Sequence, residues 1–340
     1  MIYESTENPL SHFKGFLATP EELDILMLIT QIDKYEKSLI DVAAGLRKAP
    51  YRVGKQKDLV LTYTNGIRQY PAFPLFMGIE LEMEAINGNP DTGLADILAT
   101  SPEFVIAKRD GSLRNGVEVV SVPATMSIHA ERWPALLKQL RTKYRSFDPE
   151  KTGNSRCGMH IHMDRRAITM WQLGKMLIFI NNPNNADFIS QISGRSVRGE
   201  ITYCKQVKYK KITDFLTMAY EKYSALNLKK PNTVELRIFR GTLNEFSFLR
   251  NMQFAHAYQR FCGIQSQANL TWQHFIYWVT SQDVRRPYYH LVTWLANNMA
   301  DQKMMILDKR SGKNIEVPLV HPAALELKER VPGPRFIPIK

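Results

Sequence analysis

The stretch FMGIELEMEA, residues 76–85, decides how the rest of the chain is read. Charged and apolar residues alternate through it, the period of a β-strand with two chemically distinct faces. Glu80, Glu82 and Glu84 therefore project to one side, while Ile79, Leu81 and Met83 supply the apolar side. The run stops at Asn87-Gly88-Asn89-Pro90, a cluster of turn residues. Three carboxylates in a row repel one another unless something cationic lies among them. One reading is a solvated edge strand with a polar face. The other is an acidic wall for a hard divalent cation with oxygen ligands.

Working outward, EFVIAKRD (103–110) and GVEVVSVPA (116–124) flank a glycine-rich turn and predict a hairpin. GMHIHMD (158–164) and TVELRIFRG (233–241) predict two further strands. Between and after them, helices are expected over 128–145, from Thr169 to about Ile180, from Glu245 to Cys262, and around 272–280 and 287–299. The strands do not alternate regularly with crossover helices. The expected fold class is α+β, with a mainly antiparallel sheet and flanking helices. Upstream, Thr19-Pro20-Glu21-Glu22 opens a helix with a capping hydroxyl, a proline at the first position and a glutamate three residues on. Residues 50–70 read as a connection or hairpin. The expected organisation is an N-terminal helical extension (1–70), a catalytic-type domain (71–262), and a C-terminal helical segment with a basic tail (263–340).

Each strand offers a pair of chemically active groups. His160 and His162 straddle Ile161, so both imidazoles leave the same face. The start of a metallo-β-lactamase signature is not completed, because Arg165 stands where a histidine is required. Glu235 and Arg237 repeat the spacing of two. A carboxylate there can hold a metal, and a guanidinium is suited to the charge of a transferring phosphoryl group; an ordinary surface ion pair has the same pattern. Glu118 sits among valines in GVEVV, an unusual place for a purely solvated carboxylate. If the strands pair side by side, these groups converge on one face able to hold two or more divalent ions against a polyphosphate.

The order FMGIELEME, DGSLRNGVEVVSVPA, CGMHIHMD, NTVELRIFRGTLN resembles the amidoligase family over roughly residues 75–262. The resemblance implies a curved sheet of the glutamine synthetase and glutamate–cysteine ligase type. It also implies an ATP-dependent carboxylate–amine ligase that makes an amide through an acyl phosphate, with Mg2+ or Mn2+. By the same resemblance Glu80, Glu82, Glu118, His160 and Glu235 are metal ligands. Arg237, Glu118 and His160 act in catalysis, and Arg195, Arg237 and His162 face the nucleotide. Arg195 belongs to a Gly194-Arg195 element followed by a basic run with Arg198 and Lys205 to Lys211. The expected substrates are an amino acid or peptide carboxylate and an amine. No serine or cysteine nucleophile is required; Cys157, beside the His-x-His strand, reads as packing.

The chain has 340 residues and a formal charge of +12, which favours an anionic partner. Nucleotide and acidic substrate account for part of that excess. The alternative is a non-catalytic binding or structural protein that keeps the ligase-like sheet and meets nucleic acid through Lys303, Lys309, Arg310, Lys313, Lys328, Arg330 and Arg335. A third reading, a metal-dependent hydrolase, would use the same ligands without ATP. Three scattered cysteines make no disulfide framework, and neither a secretory signal nor a membrane-length apolar run is present. The expectation is a cytoplasmic protein without a membrane partner.

Overall fold

The computed structural model describes residues 75–327, apart from 92, 102–103, 109–111, 114, 147–156, 196–218, 220–222, 282–285 and 308–311. The expected N-terminal helix, the 50–70 connection, the basic run 205–211 and most of the basic tail lie outside the described residues. The chain is mixed α and β, and its described part divides into two compact units. One takes the described residues within Met1–Thr169 and Ile201–Glu245, the other those within Met170–Glu200 and Phe246–Lys340.

The first unit is built on a seven-stranded sheet. Its strands are β1 (Met77–Ala85), β2 (Val105–Lys108), β3 (Gly116–Ser121), β4 (Tyr144–Arg145), β5 (Gly158–Asp164), β6 (Leu226–Asn227) and β7 (Thr233–Arg240). Their order is β2-β3-β1-β5-β7-β6, and every pairing is antiparallel. β4 pairs the far end of β1, opposite Glu84 and Ala85. The acidic strand is thus central rather than an edge. The edge reading fails because strand position depends on distant partners, which a local pattern does not encode. Met77, Ile79, Leu81 and Met83 are fully buried on one side of β1, each contributing roughly 1.5–3 kcal/mol.

Two helices complete this unit, α1 (Leu94–Leu98) and α2 (Met126–Leu140). The helix expected over 128–145 stops five residues early. Thr142 turns its hydroxyl back to the Gln139 carbonyl, and Tyr144 and Arg145 leave the helix to pair β1. Trp133 packs edge-on against Phe104, with ring centroids 5.8 Å apart. His129 bridges α2 to β1, its Nε2 lying 2.7 Å from the Met77 carbonyl.

The second unit is helical: α3 (Met170–Asn181), α4 (Ala186–Ser193), α5 (Glu245–Ile264), α6 (Trp272–Thr280), α7 (Tyr289–Met299) and the short α8 (Pro322–Leu325). Its core is aromatic. Phe275 lies 5.3 Å from both Phe254 and Phe261 and 5.9 Å from Phe179 and Phe188, all between ring centroids. Lys175, buried, donates to the Gly263 and Gln265 carbonyls and so caps α5. Part of the segment read as basic tail is a hairpin of β8 (Lys303–Leu307) and β9 (Asn314–Pro318). Lysine, glycine and proline there belong to an exposed two-stranded ribbon, where they keep its edges from pairing elsewhere. No described helix is long and apolar enough to cross a membrane.

Candidate metal centre on the sheet

Pairing register assembles the site. Glu80 stands opposite His160 on one side of β1, and Glu82 stands opposite Glu118 on the other. His162 stands opposite Glu235 on β7. Residues directly opposite in a ladder share a face, so three strand contacts bring Glu80, Glu82, Glu118, His160, His162 and Glu235 to one surface. Arg237, two residues beyond Glu235, joins them. The β5–β7 register shifts between Met159 and Ile161, where β7 carries one extra residue between Leu236 and Phe239.

The tightest group is Glu80, His160 and Glu235. Each offers one ligand atom, and these atoms lie within 4.8 Å of one another. His160 Nδ1 is 3.4 Å from Glu80 Oε2 and 3.6 Å from Glu235 Oε1, and its Nε2 is 4.0 Å from Glu82 Oε1. His162 Nε2 is 3.2 Å from Glu80 Oε1 and 3.9 Å from Glu235 Oε1, yet it makes no hydrogen bond of proper geometry. Arg237 holds Glu235 through Nη1, while its buried Nε makes no hydrogen bond. Glu82 and Glu118 stand beside this group. Glu82 is oriented from two directions: Gly158 N–H donates to its carboxylate at 2.5 Å, and the Ser146 hydroxyl donates to its carbonyl at 2.6 Å. Gly241 makes that approach possible, since a Cβ there would fall 2.1 Å from Ser146 Oγ and 3.1 Å from the Gly158 carbonyl.

Glu82, Glu118, His160 and Glu235 are buried, and Glu80 is largely covered. Burial alone would raise the pKa of the Glu80 carboxyl. The close approach and charges of His160 and His162 outweigh it and hold Glu80 far below the usual carboxylate range. Glu118 goes the other way. Burial, then the charge of Glu80, push it up to about 8, although Lys108 pulls against them. The face therefore carries more carboxylate than its own cations neutralise.

The structure also shows what the sequence reading passed over. Lys108, on the edge strand β2, stands opposite Glu118; its Nζ lies 3.8 Å from Glu118 Oε2 and 3.9 Å from Glu80 Oε1. The signal was a lone lysine in a strand paired with an acidic one, legible only with the register known. Thr233 supports His162, its hydroxyl 3.4 Å from Nδ1. Arg195, expected in a loop after a helix, belongs to the helical unit. It follows Gly194, which closes α4 in the left-handed conformation at φ 68°. Of the lysines proposed for nucleic acid, Lys303 is paired to Glu316 at 2.7 Å. Cys157 is buried, in keeping with a packing role.

Neither protein-family models nor curated proteins yield a match to this chain.

Proposed function

We propose that this face binds a divalent cation and that the chain uses it as an ATP-dependent carboxylate–amine ligase of the glutamine synthetase-like type. The observation that supports the reading most is the group Glu80, His160 and Glu235, drawn from three adjacent strands. Two carboxylates and an imidazole, buried together, are hard oxygen donors with one nitrogen. That set suits Mg2+, and Mn2+ better still. The surplus of buried carboxylate at Glu118 fits a site completed by added positive charge.

In the reaction proposed, a substrate carboxylate takes the terminal phosphoryl group of ATP, and an amine then displaces phosphate to leave an amide. The cation, when bound, screens the phosphate oxygens during that transfer. The chain's own residues supply the rest. Arg237 presents a guanidinium beside Glu235, with a buried Nε–H left over to meet an anionic oxygen. His162, supported by Thr233, offers a second nitrogen on the same face. Gly158 and Ser146 fix Glu82, so the acidic wall keeps its shape before any ligand arrives.

The test is release of ADP and phosphate by the purified chain, with Mg2+ or Mn2+ and a panel of carboxylic acids paired with amines. Turnover that needs both substrates is expected. A folded chain that binds no nucleotide at millimolar Mg2+ overturns the ligase reading.

A further inference from the structure

Among the described residues, Lys108 is a cation at the acidic face to which the proposed chemistry gives no role. We infer that its ammonium takes the place of a second divalent cation, so that the sheet holds one ion where its carboxylates would otherwise accept two. The inference rests on the metal-centre reading above and deepens it.

Geometry comes first. The Lys108 Nζ lies between carboxylates of two different strands, 3.9 Å from Glu80 Oε1 and 3.8 Å from Glu118 Oε2. Both separations exceed the 2.7–2.9 Å of a charge-assisted hydrogen bond. The lysine is therefore a counter-charge held near two anions rather than locked to one. The strands fix this placement, because Lys108 is the cross-strand partner of Glu118, which is in turn the partner of Glu82. The lysine meets the face at Glu80 and Glu118, Arg237 meets it at Glu235, and His160 and His162 lie between, near both Glu80 and Glu235.

Charge points the same way. Metal ligands count in their deprotonated forms, with histidines neutral. With Glu118 ionised, as a ligand to a second ion must be, Glu80, Glu82, Glu118 and Glu235 bring four negative charges, and Arg237 and Lys108 return two. One divalent ion at Glu80, His160 and Glu235 balances the remainder, and a second would overload it. Without Lys108, three negative charges remain, and a single divalent ion leaves one of them uncompensated beside Glu118. Lysine suits the role because its charge is compact and its stem flexible. The side chain here is 42% exposed, so it is free to reach toward a substrate anion above the face.

The experiment titrates the full chain with Mn2+ at pH 8 and reads free Mn2+ by electron paramagnetic resonance. Wild type should bind one ion per chain, Lys108→Arg one, and Lys108→Gln two, with unchanged thermal melts. Lys108→Met carries the same test if Lys108→Gln fails to fold. Equal stoichiometry of one in wild type and the neutral variants overturns the inference and leaves the metal centre standing. Two ions in wild type do the same. No Mn2+ binding by any of the folded proteins overturns the inference together with the metal centre itself.

Discussion

Histidines from neighbouring elements meet β1 at two places, and they solve the problem of a buried imidazole in opposite ways. Where α2 crosses the start of the strand, His129 is fully buried and both ring nitrogens are spoken for. Trp133 Nε1–H donates to Nδ1 at 3.1 Å, which leaves Nε2–H to donate to the Met77 carbonyl. A neutral tautomer satisfies both partners, and burial lowers the pKa of the ring to about 4, with the Met77 hydrogen bond opposing. Further along the strand, His160 and His162 face carboxylates at 3.2–4.0 Å, each near more than one and hydrogen-bonded closely to none. The first arrangement is finished and holds a fold together. The second keeps donor atoms close but uncommitted, as a ligand shell must before its ion arrives.

The comparison breaks most sharply under mutation. Glu80→Gln removes the carboxylate shared by both site histidines. Mn2+ binding should weaken by roughly 100-fold or more, with ligase turnover lost. The melting temperature without metal should fall modestly, because the pairing of ionised Glu80 with His160 and His162 is lost while its repulsion of Glu118 is relieved. Calorimetric metal titration and thermal melts check both halves, and an unchanged Mn2+ affinity would end the assignment of Glu80. Arg237→Ala should lower kcat by about 10²-fold or more while nucleotide binding persists. Turnover equal to wild type removes Arg237 from the mechanism. His129→Ala should do the reverse of Glu80→Gln. It opens a cavity and orphans the Met77 carbonyl and the Trp133 N–H, costing about 3 kcal/mol in denaturant unfolding, with Mn2+ affinity unchanged.

How much of this contrast the sequence carried differs by element. Side-chain direction along a strand depends only on spacing, so the shared face of Glu80, Glu82 and Glu84 and the pairing of His160 with His162 were readable from single runs. The limits of β5 agree with the expected 158–164, and those of β1 and β7 to within one residue. Strand order was not readable, because it is set by partners tens of residues away. That is why β1 could pass for an edge and why Lys108 drew no notice. Two-residue strands such as β4 and β6 have no periodicity to detect. His129 left no local trace either, since its partners are a carbonyl and an indole rather than a motif. Arg195 is expected to face the nucleotide on a Gly-Arg pair alone, and its unit membership is a property of the folded chain.

The smallest effect is one of pH, and it isolates His129 from the site. The ring's folded pKa is about 4 against an ordinary value of 6.5, so between those limits the unfolded chain binds more protons than the folded one. Stability from this group is fully present above pH 6.5, falls as the pH drops toward 4, and levels off below it. A shift of this size corresponds to about 3 kcal/mol over the whole window and only a fraction of that between pH 6.5 and 5.5. Urea unfolding of wild type and His129→Ala through that upper interval, without metal, should show a slope in wild type that is shallower in the variant. Identical slopes would mean that the ring is not held neutral by the Met77 and Trp133 contacts. The comparison of the two histidine environments would then lose its settled half, whatever the carboxylate face does with its cation.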